Sequence, residues 1–272
     1  MKLALAQLEI EPANVSENVE RAVEAIERAG QQDADLVVLP ELFNVGYFAF
    51  DSYARNAEAL DGETLSVVRE AAVEHGIAVL AGSIVEDLET SAADGLAVPA
   101  EEGLSNTAVF FDRGGERRAV YRKHHLFGYG SAEQDLLEPG EHLPTVEFEG
   151  FTVGVTTCYD LRFPELYRRL VDDGVTLALV PSAWPYPRVE HWELFPRTRA
   201  VENLLYVAAA NGVGTFDEDE LLGRSTVYDP WGTALASSGD DAALVTAEVD
   251  PGRVERVREE FPALADRRTA LR

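Results

Sequence analysis

Two rhythms of hydrophobic and polar residues take turns along this chain. Short runs rich in Val, Leu and Ala, apolar at every position or at alternate ones, predict strands at Leu3–Leu8, Leu36–Leu39, Ile77–Val85, Ala108–Phe111, Ala119–Arg122, Phe151–Thr157, Thr176–Pro181, Leu205–Asn211, Ser225–Tyr228 and Leu244–Val249. Between them, apolar residues recur at three- and four-residue spacing. That spacing predicts helices at Ser16–Ala29, Thr64–Glu74, Leu161–Asp173, His191–Glu202 and a short one near Arg253–Glu259. The first of these opens near Ser16 and sets Val19, Val23 and Ile26 on one face with charges on the other. Strand and helix alternate in both halves, which predicts a sheet-based α/β fold. No linker splits the chain, so 1–272 is expected to form one domain. Leu88–Leu104 and Gly128–His142 are long enough to be functional excursions.

Charge narrows the partners. The chain carries 49 acidic against 23 basic residues, a formal charge of -26. Such a surface repels phosphates and anionic lipid, which argues against nucleic acid and membrane partners. No apolar run approaches the roughly 20 residues of a membrane span, and Met1–Leu8 reads as a first strand rather than a secretion signal. With a single cysteine no disulfide can form within the chain, and a cytoplasmic location is expected. Only Lys2 and Lys123 among the 23 basic residues are lysines. Acidic excess with scarce lysine fits a halophilic protein of a salt-rich cytoplasm, where screening tolerates self-repulsion; a coding bias toward arginine is the alternative. In either case Lys123 stands out, because arginine cannot supply a compact ammonium.

Three segments place a reactive side chain at a strand end. Cys158 follows Phe151-Thr-Val-Gly-Val-Thr-Thr157 and precedes a predicted helix, whose positive end would favour a thiolate. It is either an inert core thiol or a nucleophile, and local pattern alone favours the first. Glu41 ends Leu36-Val-Val-Leu-Pro40 and is followed by Leu42 and Phe43. A carboxylate there is either a helix-start acid or a desolvated general base. Lys123, in Val120-Tyr-Arg-Lys123-His-His125, is either a solvated strand-end charge or an ammonium that stabilises a developing oxyanion. The paired His124 and His125 have no ligand spacing with His75, His142 or His191, so a metal site is not expected, although a Cys–His dyad stays open. No glycine-rich phosphate loop occurs.

Pro40-Glu41-Leu42-Phe43, Tyr121-Arg-Lys123-His-His-Leu-Phe127 and Thr157-Cys158-Tyr-Asp-Leu-Arg-Phe-Pro-Glu165, in that order, resemble the carbon–nitrogen hydrolases of the nitrilase superfamily. The likeness continues through Gly82-Ser-Ile84, Ser105-Asn-Thr107, His191-Trp-Glu193, Arg199-Ala-Val-Glu-Asn203, Ala209-Ala-Asn211 and Asp229-Pro-Trp-Gly232, and so covers nearly the whole chain. The resemblance implies a four-layer α-β-β-α sandwich, assembled as a homodimer or higher homo-oligomer, with a Glu41–Lys123–Cys158 triad and no cofactor. A second glutamate maps onto Glu133, although the preceding Gly128-Tyr-Gly-Ser-Ala132 departs from the commoner acidic version. Glu41 would be the base, Cys158 the nucleophile, and Lys123 with the Tyr159 amide the oxyanion partners.

Cys158-Tyr-Asp160 is closer to amidase-like branches than to nitrilases, so hydrolysis of a small linear ω-amide is expected. An N-carbamoyl amine hydrolase or a nitrilase is the alternative, and a redox-active thiol a remote one. Arg162 and Trp184 lie just past strand ends near the site, as substrate contacts or as packing.

Overall fold

A computed structural model describes residues 1–268. Its strands are β1 (Lys2–Gln7), β2 (Leu36–Val38), β3 (Ala78–Asp87), β4 (Leu104–Phe111), β5 (Arg117–Arg122), β6 (Thr145–Phe148), β7 (Phe151–Val155), β8 (Leu177–Ser182), β9 (Tyr206–Asn211), β10 (Val213–Phe216), β11 (Asp219–Leu222), β12 (Thr226–Tyr228), β13 (Ala234–Ser237) and β14 (Ala243–Glu248). They form two six-stranded sheets, ordered β14-β1-β2-β3-β4-β5 and β13-β12-β9-β8-β7-β6, and a β10-β11 hairpin. Each large sheet is built around three parallel strands, β1-β2-β3 in one and β7-β8-β9 in the other, with antiparallel strands outside them.

Strand periodicity explains the layering. Leu3 and Leu5 of β1 and Leu177 and Leu179 of β8 point into one apolar layer between the sheets. Their neighbours Ala4 and Ala6 face a second layer, shared with Ala22, Ile26, Val68 and Ala72 of helices Val15–Gln31 and Glu63–His75. Ala178 and Val180 face a third, shared with Leu166, Leu170, Trp192 and Ala200 of helices Pro164–Asp172 and Val189–Asn203. Side chains that alternate across a pleated strand thus bury both faces of both sheets, which is the expected α-β-β-α sandwich.

Several elements differ from their predicted spans. β4 begins at Leu104 rather than Ala108, because the polar Ser105, Asn106 and Thr107 are buried strand residues. The edge strands β6 and β13 and the β10-β11 hairpin carry too little apolar pattern to predict. The predicted helix Leu161–Asp173 is two pieces: a 3-10 turn over Cys158–Arg162 and an α-helix that starts at Pro164. Pro164 cannot donate an amide bond, so it fits the start of a helix and not its interior. The Leu88–Leu104 excursion opens with a helix, Leu88–Ala93, capped by the Asp87 carboxylate accepting from the Thr90 amide at 3.2 Å. Among the described residues no helix is long and apolar enough to cross a membrane.

Candidate active site

The parallel strands converge on one edge, where open α/β sheets place their ligands. β2 delivers Glu41 just past its end, β5 delivers Lys123, β7 delivers Cys158, and β8 runs into Ala183 and Trp184. Gly82 makes the Glu41 turn possible. A Cβ at position 82 would lie 2.1 Å from the carbonyl oxygens of both Leu39 and Pro40, so only glycine lets β3 pass this close. Its neighbour Ser83 accepts a 2.8 Å hydrogen bond from the amide of Leu42, a residue held at φ +45°.

Lys123 bridges the two glutamates. Its Nζ donates to Glu41 Oε1 at 2.7 Å and to Glu133 Oε1 and Oε2 at 2.8 and 3.0 Å. All three residues are fully buried. The Asn106 amide spans the same pair, donating to Glu41 at 2.9 Å and to Glu133 at 3.2 Å. Glu41 Oε2 accepts from the Ala183 amide at 2.9 Å. Glu133 opens the short helix Glu133–Leu136 inside the predicted excursion, and also accepts from the Tyr47 hydroxyl at 3.0 Å and the Phe127 amide at 2.6 Å. The Tyr47 ring lies 5.2 Å from the ammonium.

These contacts set the charge states. Burial pushes the Glu41 pKa above its ordinary 4.5, against the pull of Lys123 and with help from the Glu133 charge. Burial opposes the Lys123 charge, but Glu133 and Glu41 outweigh it and hold the ammonium protonated, its pKa well above the usual lysine value. Cys158 is raised well above 9.0, first by burial and then by the Glu41 charge. This corrects the expectation of a thiolate at a helix end. The α-helix begins six residues later, at Pro164, and the buried thiol rests protonated beside the Glu41 charge.

Cys158 sits at φ +47°, a backbone state costly for a residue with a Cβ. Asp160 holds it there. One carboxylate oxygen accepts from the Thr157 amide at 2.9 Å and the Tyr121 hydroxyl at 2.5 Å. The other accepts from the His125 amide at 3.0 Å and meets His125 Nδ1 at 2.8 Å. Asp160 thereby ties the cysteine turn to residues on both sides of Lys123. His125 also stacks on Phe163 at 3.6 Å, so its ring serves this clamp rather than a dyad with the thiol.

A narrow pocket opens onto Cys158, walled by Tyr47, Phe127, Tyr159 and Trp184 with Arg162 and Arg188 among its lining residues. The residues expected to be catalytic or to touch substrate gather here: Glu41, Lys123, Cys158 and Glu133 in the polar cluster, Tyr159, Arg162 and Trp184 in the wall. Sequence reasoning missed Tyr47, Asn106, Asp160 and Arg188. The polar Ser105-Asn106-Thr107 interrupting an apolar run was the available signal for Asn106; nothing local marked Tyr47.

Comparison with known proteins places the chain in a family. The carbon-nitrogen hydrolase family model matches residues 2–259. The chain is 36% identical to the 2-oxoglutaramate amidase of Paenarthrobacter nicotinovorans, covering 89% of this chain and 81% of that one. It is 35% identical to Omega-amidase NIT2 of Homo sapiens, covering 99% and 96%. Its fold matches the amidase from Nesterenkonia sp. AN1 in a structure where acrylamide has added at the active site cysteine, with a TM-score of 0.80, 28% identity and coverage of 97% and 99%. The chain belongs to the carbon–nitrogen hydrolase family.

Proposed function

We propose that this enzyme hydrolyses the terminal amide of a small linear ω-amido acid through a thioester on Cys158. The observation that carries the reading is the Lys123 ammonium bridging two buried glutamates beside a protonated thiol. A thiol whose pKa burial has raised needs a general base, and Glu41, whose charge acts on that thiol, is the candidate for it. Glu41 takes the thiol proton as sulfur attacks the amide carbon. Lys123 and the Tyr159 amide stabilise the oxyanion, a contribution typically worth about 2.7–4 kcal/mol per donor. The tetrahedral intermediate breaks its C–N bond, and ammonia leaves with the proton from Glu41. Water then attacks the thioester, giving a proton to Glu41; the C–S bond breaks, sulfur recovers that proton, and the acid departs. Glu133 keeps Lys123 in register throughout.

The relatives named for ω-amides support that substrate class, and Arg162 supports an anionic far end, since its guanidinium is seated on the pocket wall, 5.1 Å from the Trp184 ring centre. The raised thiol pKa argues against a redox sensor, which depends on thiolate character. A homodimer is supported by Leu194 and Val201, exposed on helix Val189–Asn203, and by exposed Trp231 and Phe261, whose tilted rings lie 5.7 Å apart. A cytoplasmic location rests on the lone free cysteine. The deciding assay is ammonia release from ω-amides, N-carbamoyl amines and nitriles, with C158A as control. Turnover of ω-amides that C158A abolishes is the expected result; nitriles as the sole substrates, or an active C158A variant, would overturn the proposal.

A further inference from the structure

Asn106 is fully buried in β4, yet only half of its side chain is in use. Its Nδ2 donates to Glu41 Oε1 at 2.9 Å and to Glu133 Oε1 at 3.2 Å. Its Oδ1, equally buried, has no hydrogen-bond partner among the described residues. A buried amide oxygen without a donor costs stability, and most such groups in folded proteins are satisfied. An apolar side chain would fill the strand position without that cost. What Asn106 adds is its two N–H donors, and both go to carboxylates of the site.

Lys123 Nζ touches the same two oxygens, Glu41 Oε1 at 2.7 Å and Glu133 Oε1 at 2.8 Å. Two donors and two acceptors therefore alternate around a closed circuit, one donor charged and the other neutral. The circuit holds two like charges within the span of two hydrogen bonds, and the Glu133 charge is one of the effects that raise the Glu41 pKa. A neutral donor between them favours both ionised carboxylates without adding a second cation that would weaken Glu41 as a base. The bonds also sort the oxygens of Glu41. Oε1 already accepts from Lys123 and Asn106, whereas Oε2 accepts from the Ala183 amide at 2.9 Å. Each carboxylate oxygen has room for two donors, so the open position lies on Oε2.

We propose that Asn106 is a positioning residue for the general base: with Lys123 it occupies Glu41 Oε1, keeps Glu41 ionised beside Glu133, and leaves Oε2 as the atom that takes the Cys158 proton. The inference deepens the hydrolytic reading above and rests on it for the role of Glu41. Lys123, Glu133, Cys158, Tyr47 and Tyr53 are the other ionisable groups whose charges act with Glu41. Burial holds both tyrosines well above 10.0 and the thiol well above 9.0, and Lys123 stays charged. The acid limb of reactivity therefore belongs to the two glutamates. A donor to a carboxylate favours the ionised form, so its removal moves that limb to higher pH.

The test follows the rate of Cys158 alkylation by iodoacetamide against pH in the parent, N106L and N106D, with kcat/KM for an ω-amide measured alongside. In alkylation the C–S bond forms, iodide leaves and the thiol proton passes to Glu41, so the readout needs no amide turnover. N106L removes both donors and should shift the acid limb up by about one to two pH units, a loss of about ten- to hundredfold in rate on the limb. N106D, close to isosteric, puts a third carboxyl into the circuit and should shift it at least as far; it decides the matter alone if N106L does not fold. A limb unmoved in the variants overturns the proposal, including the case where rates fall by one factor at every pH, which is what a merely structural residue would give. A shifted alkylation limb with no ammonia from any amide would uphold the role of Asn106 and count against the hydrolytic reading instead.

Discussion

The Asp160 clamp yields a prediction in which the arrangement of donors fixes the outcome. Asp160 is fully buried and its two oxygens receive four contacts, one backbone amide on each. In D160N the new amide must turn its NH₂ toward one oxygen position or the other. The Tyr121 hydroxyl can rotate and His125 can change tautomer, but the Thr157 and His125 amides cannot reverse. Whichever way the side chain turns, one buried N–H faces another donor. Leaving a buried donor unmatched costs about 1–3 kcal/mol, and the surviving bonds lose their charge assistance. We expect D160N to lower unfolding stability by about 2–4 kcal/mol in guanidinium titration, a large part of a typical 5–15 kcal/mol. The turn at Thr157 also fixes the strained Cys158 backbone, so kcat should fall at least about tenfold while KM changes little. A D160N variant within about 0.5 kcal/mol of the parent, with full kcat, would refute the clamp.

Other predictions follow from the charge states and composition. Glu41 must be ionised to accept the thiol proton, and its pKa is raised chiefly by burial, so kcat/KM should rise with pH along a limb centred above 4.5; a limb at or below 4.5 would contradict the assignment. In E41Q, alkylation of Cys158 by iodoacetamide should keep accelerating past pH 9.0, because burial holds the thiol pKa well above it; a plateau by pH 8 would count against this. K123R keeps the charge but not the compact three-donor head, and should cost about 10²–10³ in kcat; near-parental turnover would show that charge alone suffices. With a net charge of -26, raising KCl from 0.1 to 2 M should lift the Tm by about 5 °C or more, and an unchanged Tm would remove the case for a salt-rich origin.

What the sequence made legible follows how local each signal is. Parallel strands buried on both faces read as near-continuous apolar runs, so β1, β2, β7, β8 and β9 and the helices packed on them were predictable from periodicity. Lys123 was conspicuous because nearly every other cation is arginine. Asn106 and Glu133 were harder. One is a polar residue inside a strand, where binary patterning breaks down; the other opens a short helix in an excursion with no apolar pattern of its own. Their roles depend on contacts 65 and 10 residues away in sequence, to Glu41 and Lys123. The predicted helix starts too early, at Leu161 inside the 3-10 turn rather than at Pro164, because Leu161, Leu166 and Leu170 keep an approximate helical spacing across Pro164.

The division between arginine and lysine now has a structural rationale. Arginine is used where a planar fork meets paired oxygens: Arg122 reaches both oxygens of buried Glu86 at 2.6 and 2.7 Å, and Arg113 spans Asp35 and Glu149. Those tasks suit a wide, rigid donor array. The Lys123 site asks for the opposite. Three oxygen contacts between 2.7 and 3.0 Å converge on a single nitrogen from two carboxylates that approach from different elements. A guanidinium spreads its donors over a plane and could not bring one point of charge between them without moving Glu41 away from Cys158. Cation choice in this chain therefore follows the shape of the anion it faces.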